Sequence, residues 1–350
     1  MSRARFTLLL VAALAAICGA FYLSSQRNLQ RDSRGAPLFP TLAPELNTVT
    51  EVSILKGSAT PAVTLHKSGE QWTVAERADY PANVAKLGRL LRALADAKVV
   101  EEKTSDPANY PIIGVEDPAK AGATGAEISV LAQDGRHSLI VGKPVGEGTF
   151  ARRPGDSKSY AVEPAISVEP EPRSWIDTRL LDIASSSIQS VEFKPPSGAG
   201  YTLHRIKPKE DGFALDKTPA GRSALDAKAL APSAGALSGL NVEDVGAAKD
   251  IDFSQAAQAI FTLDDGAVVS LAGAPAGDKR WIEVQSSKDA ALAQKAKDRA
   301  FEIASYRYDA IFRPLDQLLV PKEVKPRAQD GASKSGAAPR VKSAPLPTAP

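Results

Sequence analysis

Val63-Thr64-Leu65-His66-Lys67 and Tyr201-Thr202-Leu203-His204-Arg205 are one pattern written twice. Apolar residues fall at alternate positions in both. Val63 and Leu65 therefore face one way and Thr64 and His66 the other, which is the period of a half-buried strand. A strand-like segment precedes each copy, Val52-Ser53-Ile54-Leu55 and Val191-Glu192-Phe193-Lys194. A polar turn and a second short strand follow, Gln71-Trp72-Thr73-Val74 and Gly212-Phe213-Ala214-Leu215.

Working outward, the same order continues. Asn83 can cap a helix with Val84, Leu87, Leu90, Leu91 and Leu94 on one face; Asp226 can cap another carrying Leu230, Leu237 and Leu240. Pro232 inside the second segment removes a hydrogen bond and should kink or shorten it. Val99-Val100-Glu101 and Asn241-Val242-Glu243 follow the two helices. A hairpin then turns at Asp134-Gly135 in one copy and at Asp265-Gly266 in the other, because glycine accepts the positive φ that a tight turn needs. Tyr160-Ala161-Val162 and Trp281-Ile282-Glu283-Val284 read as closing strands, and residues 175–182, read as a closing helix, resemble residues 311–316. Agreement of order, turn type and helix position predicts a tandem duplication. The expected class is α+β: two tandem copies of a mixed strand-hairpin and helix module behind an N-terminal transmembrane helix.

Arg3 and Arg5 precede the apolar run of residues 6–23. At 1.5 Å per residue that run reaches roughly 27 Å, enough for a bilayer core. Basic residues ahead of it favour a cytoplasmic N-terminus. An uncleaved anchor is preferred to two alternatives, a signal peptide cut near Cys18-Gly19-Ala20 and a lipid-modified Cys18 preceded by the bulky Ile17. The expected organisation is an anchor over 1–23, a stalk over 24–47, repeat 1 over 48–184, repeat 2 over 188–320 and a disordered basic Pro/Ala-rich tail over 321–350. The expected location is the inner membrane, single-pass, with most of the chain periplasmic.

The formal net charge of +2 conceals its distribution. Residues 1–34 and 321–350 each carry +4, which leaves −6 on 35–320. No basic footprint for nucleic acid falls on the folded part. Cys18 is the single cysteine, so residues beyond the apolar run contain no disulfide, no thiol nucleophile and no cysteine-ligated metal. His66 and His204 hold equivalent places on polar strand faces and His137 follows a turn; all three read as solvated. The carboxylates Glu101, Glu102, Asp250 and Asp252 lack the companions of an acid–base pair or a calcium loop. Ser185-Ser186-Ser187 reads as a linker, and Trp72, Trp175 and Trp281 as core. No catalytic, cofactor-binding or metal-binding residue is expected.

The order of the Gln71-Trp72-Thr73-Val74 strand, the helix after Tyr80-Pro81-Ala82-Asn83, and the segment from Tyr110 to Gly114-Val115-Glu116-Asp117-Pro118 resembles a bacterial group, the domain-of-unknown-function family 4340. The strand ending at Gly142 and the Ser159-Tyr160-Ala161-Val162 strand extend the likeness, which covers about residues 48–320. The resemblance implies a single-pass membrane protein associated with ABC-type, gliding-like transport components, and it carries no catalytic residues. The expected function is a non-catalytic, membrane-anchored envelope protein, an accessory or scaffold subunit that touches ABC-type transporter subunits. Two alternatives stand beside it. One is an envelope glycan- or peptide-acting enzyme with carboxylates at the repeat interface. The other is a module binding a small ligand there.

Overall fold

The computed structural model describes residues 34–207 and 212–321. These form 19 strands in three antiparallel sheets, which corrects the expected α+β class to a predominantly antiparallel β architecture. Val84–Asp96, with 13 residues, is the longest helix among the described residues. The expected transmembrane helix over 1–23 lies outside the described residues. Among those described, no helix is long and apolar enough to cross a membrane.

The first half contributes β1 Glu51–Leu55, β2 Val63–Ser68, β3 Gln71–Val74, β4 Tyr80–Pro81, β5 Lys98–Glu102, β6 Ala126–Ala132, β7 Gly135–Val145, β8 Gly148–Arg152 and β9 Ser159–Glu163. After the short β10 Arg179–Leu181 come β11 Ile188–Lys194, β12 Tyr201–Arg205, β13 Phe213–Leu215, β14 Leu240–Asn241 and β15 Asp244–Ala247. The chain then forms β16 Ala257–Leu263, β17 Val268–Ala276, β18 Lys279–Ser286 and β19 Arg299–Glu302. The first sheet runs β4-β3-β2-β1-β6-β7-β8-β9-β5 and the second β13-β12-β11-β16-β17-β18-β19-β15. Apart from β4, the two orders coincide strand for strand, and so do their registers. Leu65 pairs with Val52 and Val74, as Leu203 pairs with Val191 and Leu215.

The alternating residues that start the argument supply the inner faces. Val52, Ile54, Val63, Leu65, Val191 and Leu203 are buried together. Asn83 caps its helix by accepting the Lys86 N–H at 3.0 Å, and Leu87, Leu90, Leu91 and Leu94 turn into the core. Val84, expected on that face, is 58% exposed because it lies in the first turn. Asp226 accepts the N–H groups of Lys228 and Ala229, but the second helix stops at Ala234 and passes into a 3₁₀ turn, as Pro232 requires.

Residues 175–182 are not a closing helix. A 3₁₀ turn over Pro172–Trp175 leads into β10, and Leu315–Leu318 forms the corresponding turn in the second half. Asn83 N–H donates to the Trp175 carbonyl and Asp177 N–H to that of Pro81. In the same way Leu225 donates to Leu318 and Val320 to Ser223. Trp175 therefore corresponds to Leu318, not to Ile311. The Tyr160 and Trp281 strands are likewise not equivalents: Tyr160 lies in β9, whereas Trp281 lies in β18, which holds the place of β8.

The stalk expected over 24–47 is corrected from residue 34 onward, since Leu38 and Leu42 are buried. The Val99 N–H donates to the Ala36 carbonyl and Leu38 N–H to that of Ala97, with Pro37 bridged to Lys98. The second half repeats this with β10: Val242 N–H donates to the Thr178 carbonyl and Arg179 pairs with Asn241. Residues 35–38 and 178–181 are thus equivalent straps over the chain leaving each helix. Ser185–Ser187, expected as a linker, is a 3₁₀ turn between the second strap and β11.

Where the halves meet, one hydrophobic cluster runs from Leu38 to Leu319 without interruption. Tyr80 packs edge-on against Phe301 at 5.7 Å, with Lys295 and Arg299 near its ring. Burial, and then the Asp177 charge, push the Tyr80 phenol above its ordinary range. Half-buried ions close the rim: Arg77 Nε meets Asp244 Oδ1 at 2.5 Å and Lys295 meets Asp177 at 2.9 Å. Arg299 donates to the carbonyls of Ala78 and Asp79 across the same seam.

Two outcomes are expected in denaturant unfolding of the membrane-free chain. Leu38→Ala or Leu42→Ala should cost about 2–5 kcal/mol, as buried leucine truncations do, while Val84→Ala should cost little. A double-mutant cycle on Arg77→Ala and Asp244→Ala should give a coupling of about 1–3 kcal/mol. An additive cycle would remove the ion pair from the account of the seam.

Candidate functional site

The residues singled out in the sequence do not converge. His66 accepts or donates at Thr73 Oγ1, 3.0 Å away, and stands 3.3 Å from Asp79; His204 is 3.8 Å from Asp216 in the equivalent place. Each serves its own sheet. His137, expected to be solvated, is tucked against Phe39 at 5.5 Å and bonded to Asp134 at 2.9 Å. That bond helps hold the Asp134 carboxyl below its usual range, after one from Thr41.

Trp72, Trp175 and Trp281 are buried, and Trp175 Nε1 donates to the Glu169 carbonyl. Among the described residues no group of three His, Cys, Asp or Glu side chains is placed to hold a metal ion. Carboxylates at the seam are each set against a cation, Asp177 on Lys295 and Asp244 on Arg77. Glu169 is bonded to Lys86 at 2.6 Å, which draws its carboxyl below the ordinary range.

The informative contrast lies on the outer faces of the two large sheets. In the first half, β5 is joined to β6 by the long connection 103–125, which folds back over β7 and β8. Tyr110, Val115 and Ile140 form a small cluster there, with Ile113 and Phe150 against it. The approach is close. A Cβ at Gly125 would run into the Gly114 carbonyl oxygen, and one at Gly142 into that of Ile113, so glycine at both positions lets the connection lie on the sheet. Beneath it, Arg152 is only 8% exposed. Its Nε donates to the Val115 carbonyl at 2.8 Å, a second nitrogen donates to that of Asp156 at 2.9 Å, and its guanidinium sits 4.6 Å from the Tyr110 ring centre.

In the second half, β15 is joined to β16 by residues 248–256 alone, and among the described residues no connection of that length lies over β16–β18. A groove of about 180 Å³ lies open there, lined by Gln258, Ile260, Ser270, Ala272, Glu283 and Gln285. A larger depression of about 420 Å³ adjoins it where β18 parts from β19, and Glu283 borders both. Burial raises the Glu283 carboxyl above its ordinary range. The sequence reading took Glu283 only as a strand residue. The shortness of the β15–β16 connection, set against its counterpart, is the signal that could have exposed this face.

Such a surface is shallow and mixed in character, suited to receiving an extended segment rather than enclosing a small molecule. No curated protein and no solved structure matches the chain. Residues 72–264 match the family described as Domain of unknown function (DUF4340). That match starts in β3 and ends just past β16, spans both sheets and the seam between them, and takes in more than half of the sequence: the chain belongs to this family.

Proposed function

We propose that this protein is a non-catalytic envelope scaffold, tethered at the inner membrane by residues 6–23 with its sheets on the extracytoplasmic side, and serving as an accessory subunit of an ABC-type transport system. The observation that carries the reading is the unbroken core from Leu38 to Leu319, which joins two sheets of the same strand order into one body. A body of that kind offers broad, fixed surfaces to a partner. Its seam is occupied by packing and by ion pairs: Asp177 and Asp244, the carboxylates an interface enzyme would use, are held by Lys295 and Arg77. A general acid or base needs a carboxyl free to exchange its proton with substrate. The apolar run beginning at Phe6, with Arg3 and Arg5 before it, supports the tether and its orientation. The transport association rests on the family resemblance.

The test uses the full chain in its native membrane. Reporter fusions after Gln30 and at the C-terminus should both read as extracytoplasmic, and tagged protein should recover transport-complex subunits after cross-linking. Asp177→Asn and Asp244→Asn should impair growth or envelope integrity only as far as they lower stability or partner recovery. A variant that stayed folded, abundant and partner-bound while losing all function would replace this reading with the enzyme.

A further inference from the structure

The registers place Arg152 and Glu283 at one position of the two sheets. Ala126 faces Val141 and Val141 faces Ala151, as Ala257 faces Gly273 and Gly273 faces Ile282. One step along, Arg152 is paired with Ile140 and Glu283 with Ala272. In the first half this position is roofed by the chain's own Tyr110–Val115 stretch, which supplies a carbonyl and an aromatic ring to the guanidinium. Among the described residues the second half has no such roof, and it carries the opposite charge at this position. Glu283 has no hydrogen-bond or ion-pair partner among the described residues. Lys297 and Arg299 border the adjoining depression but form no ion pair with Glu283, and Lys194, beside Gln258, is 3.1 Å from Glu192. A half-buried carboxylate without a partner is a cost that a cation would relieve.

We propose that the open groove on β16–β18 receives the chain's own C-terminal segment, residues 322–350, with a lysine of that segment on Glu283. This segment carries Lys322, Lys325, Arg327, Lys334, Arg340 and Lys342 against Glu323 and Asp330, whereas residues 35–320 carry −6. Its charge is thus complementary to the body to which it is joined. It begins one residue after Pro321, and its 29 residues can span up to roughly 100 Å when extended, well beyond the breadth of a folded unit of this size. Pro-rich segments lie readily along a surface because they give up little backbone freedom on docking. Gln258, Ser270 and Gln285 along the groove offer donors and acceptors to an extended backbone, and Ile260 and Ala272 an apolar floor. Linkage through one covalent chain raises the effective concentration of the segment, so a weak contact suffices. The inference stands whether or not the scaffold reading holds, since it concerns contacts within one chain.

The test is zero-length carbodiimide coupling of the full chain in detergent micelles, mapped by mass spectrometry. The reagent takes up the elements of water as a carboxyl and a lysine amine close to an amide, so it joins only groups already in contact. Glu283 should be linked to Lys322, Lys325, Lys334 or Lys342 in monomeric protein, and high salt should diminish the product. E283Q should lose that product and remain folded, because the residue faces outward. Hydrogen exchange over Ser270–Ala272 and Glu283–Gln285 should quicken in a chain ending at Pro321. Links scattered evenly over Glu192, Asp216 and other surface carboxylates, links confined to covalent dimers, or unchanged exchange on truncation would each overturn the proposal.

Discussion

Each half of this fold depends on backbone hydrogen bonds made by chain that comes from before its own first strand. The segment leaving each helix, Ala97 to Val99 in one half and Leu240 to Val242 in the other, would otherwise present unpaired N–H and C=O groups at a buried edge. Unpaired groups of that kind cost about as much as a lost hydrogen bond each. Residues 35–38 and 178–181 satisfy them. Because the second strap follows directly from the turn that closes the first half, one run of about a dozen residues both ends one sheet and fixes the start of the next. The shared core and the seam ions follow from that placement. Tyr80 reaches Phe301, and Arg77 reaches Asp244, only because the strap holds the second half in this register.

Much of the repeated pattern was legible because it rests on short-range chemistry. The alternation around Leu65 and Leu203, the Asp-Gly turns and the caps at Asn83 and Asp226 each depend on residues within a few positions of one another. What was not legible depends on distant partners. Leu38 and Leu42 sit among prolines and polar residues, with no period of their own, and become core only because Ala97 and Val99 offer a backbone edge. The closing segments read as helices because Trp175 to Asp182 mixes apolar and charged residues at helical intervals; pairing with Pro81 and Asn83 prevails over that local tendency. β8 escaped notice because Gly148, Thr149 and Arg152, around Phe150 and Ala151, give no apolar alternation. Its Arg152 is buried by the connection above it rather than by the sheet. The class was misjudged for the same reason: the strands with weak patterns outnumber the helices with strong ones.

The charged residues divide by position rather than by kind. At the seam, water is partly excluded, and each ion is matched within 2.9 Å or bonded to a carbonyl. Elsewhere, pairs such as Lys158 with Glu102 and Arg136 with Glu51 lie on open strand surface, where solvent and salt reduce their worth to a fraction of a kcal/mol, about 0–1. Glu283 fits neither group: burial raises its carboxyl above the ordinary range, and among the described residues it has neither an ion pair nor a hydrogen-bond partner.

The two halves differ unequally on their two faces, and packing explains the inequality. On the inner face, volume must be conserved as well as polarity. Where the first half has Ile128 and Val130, the second has Ala259 and Phe261, one smaller and one larger. Where the first has Val141, the second has Gly273, and the ring of Phe312 occupies the space a side chain at Gly273 would need. A loss of atoms at one position is made good by a gain at a neighbour. The outer face carries no such constraint once the connection above it is removed. Arg152 needs the Val115 carbonyl and the Tyr110 ring, and with no counterpart to either, a buried guanidinium in the second half would have been left without acceptors. An outward carboxylate beside a small Ala272 is a tolerable replacement at that position, because it keeps contact with solvent while the sheet beneath it stays filled.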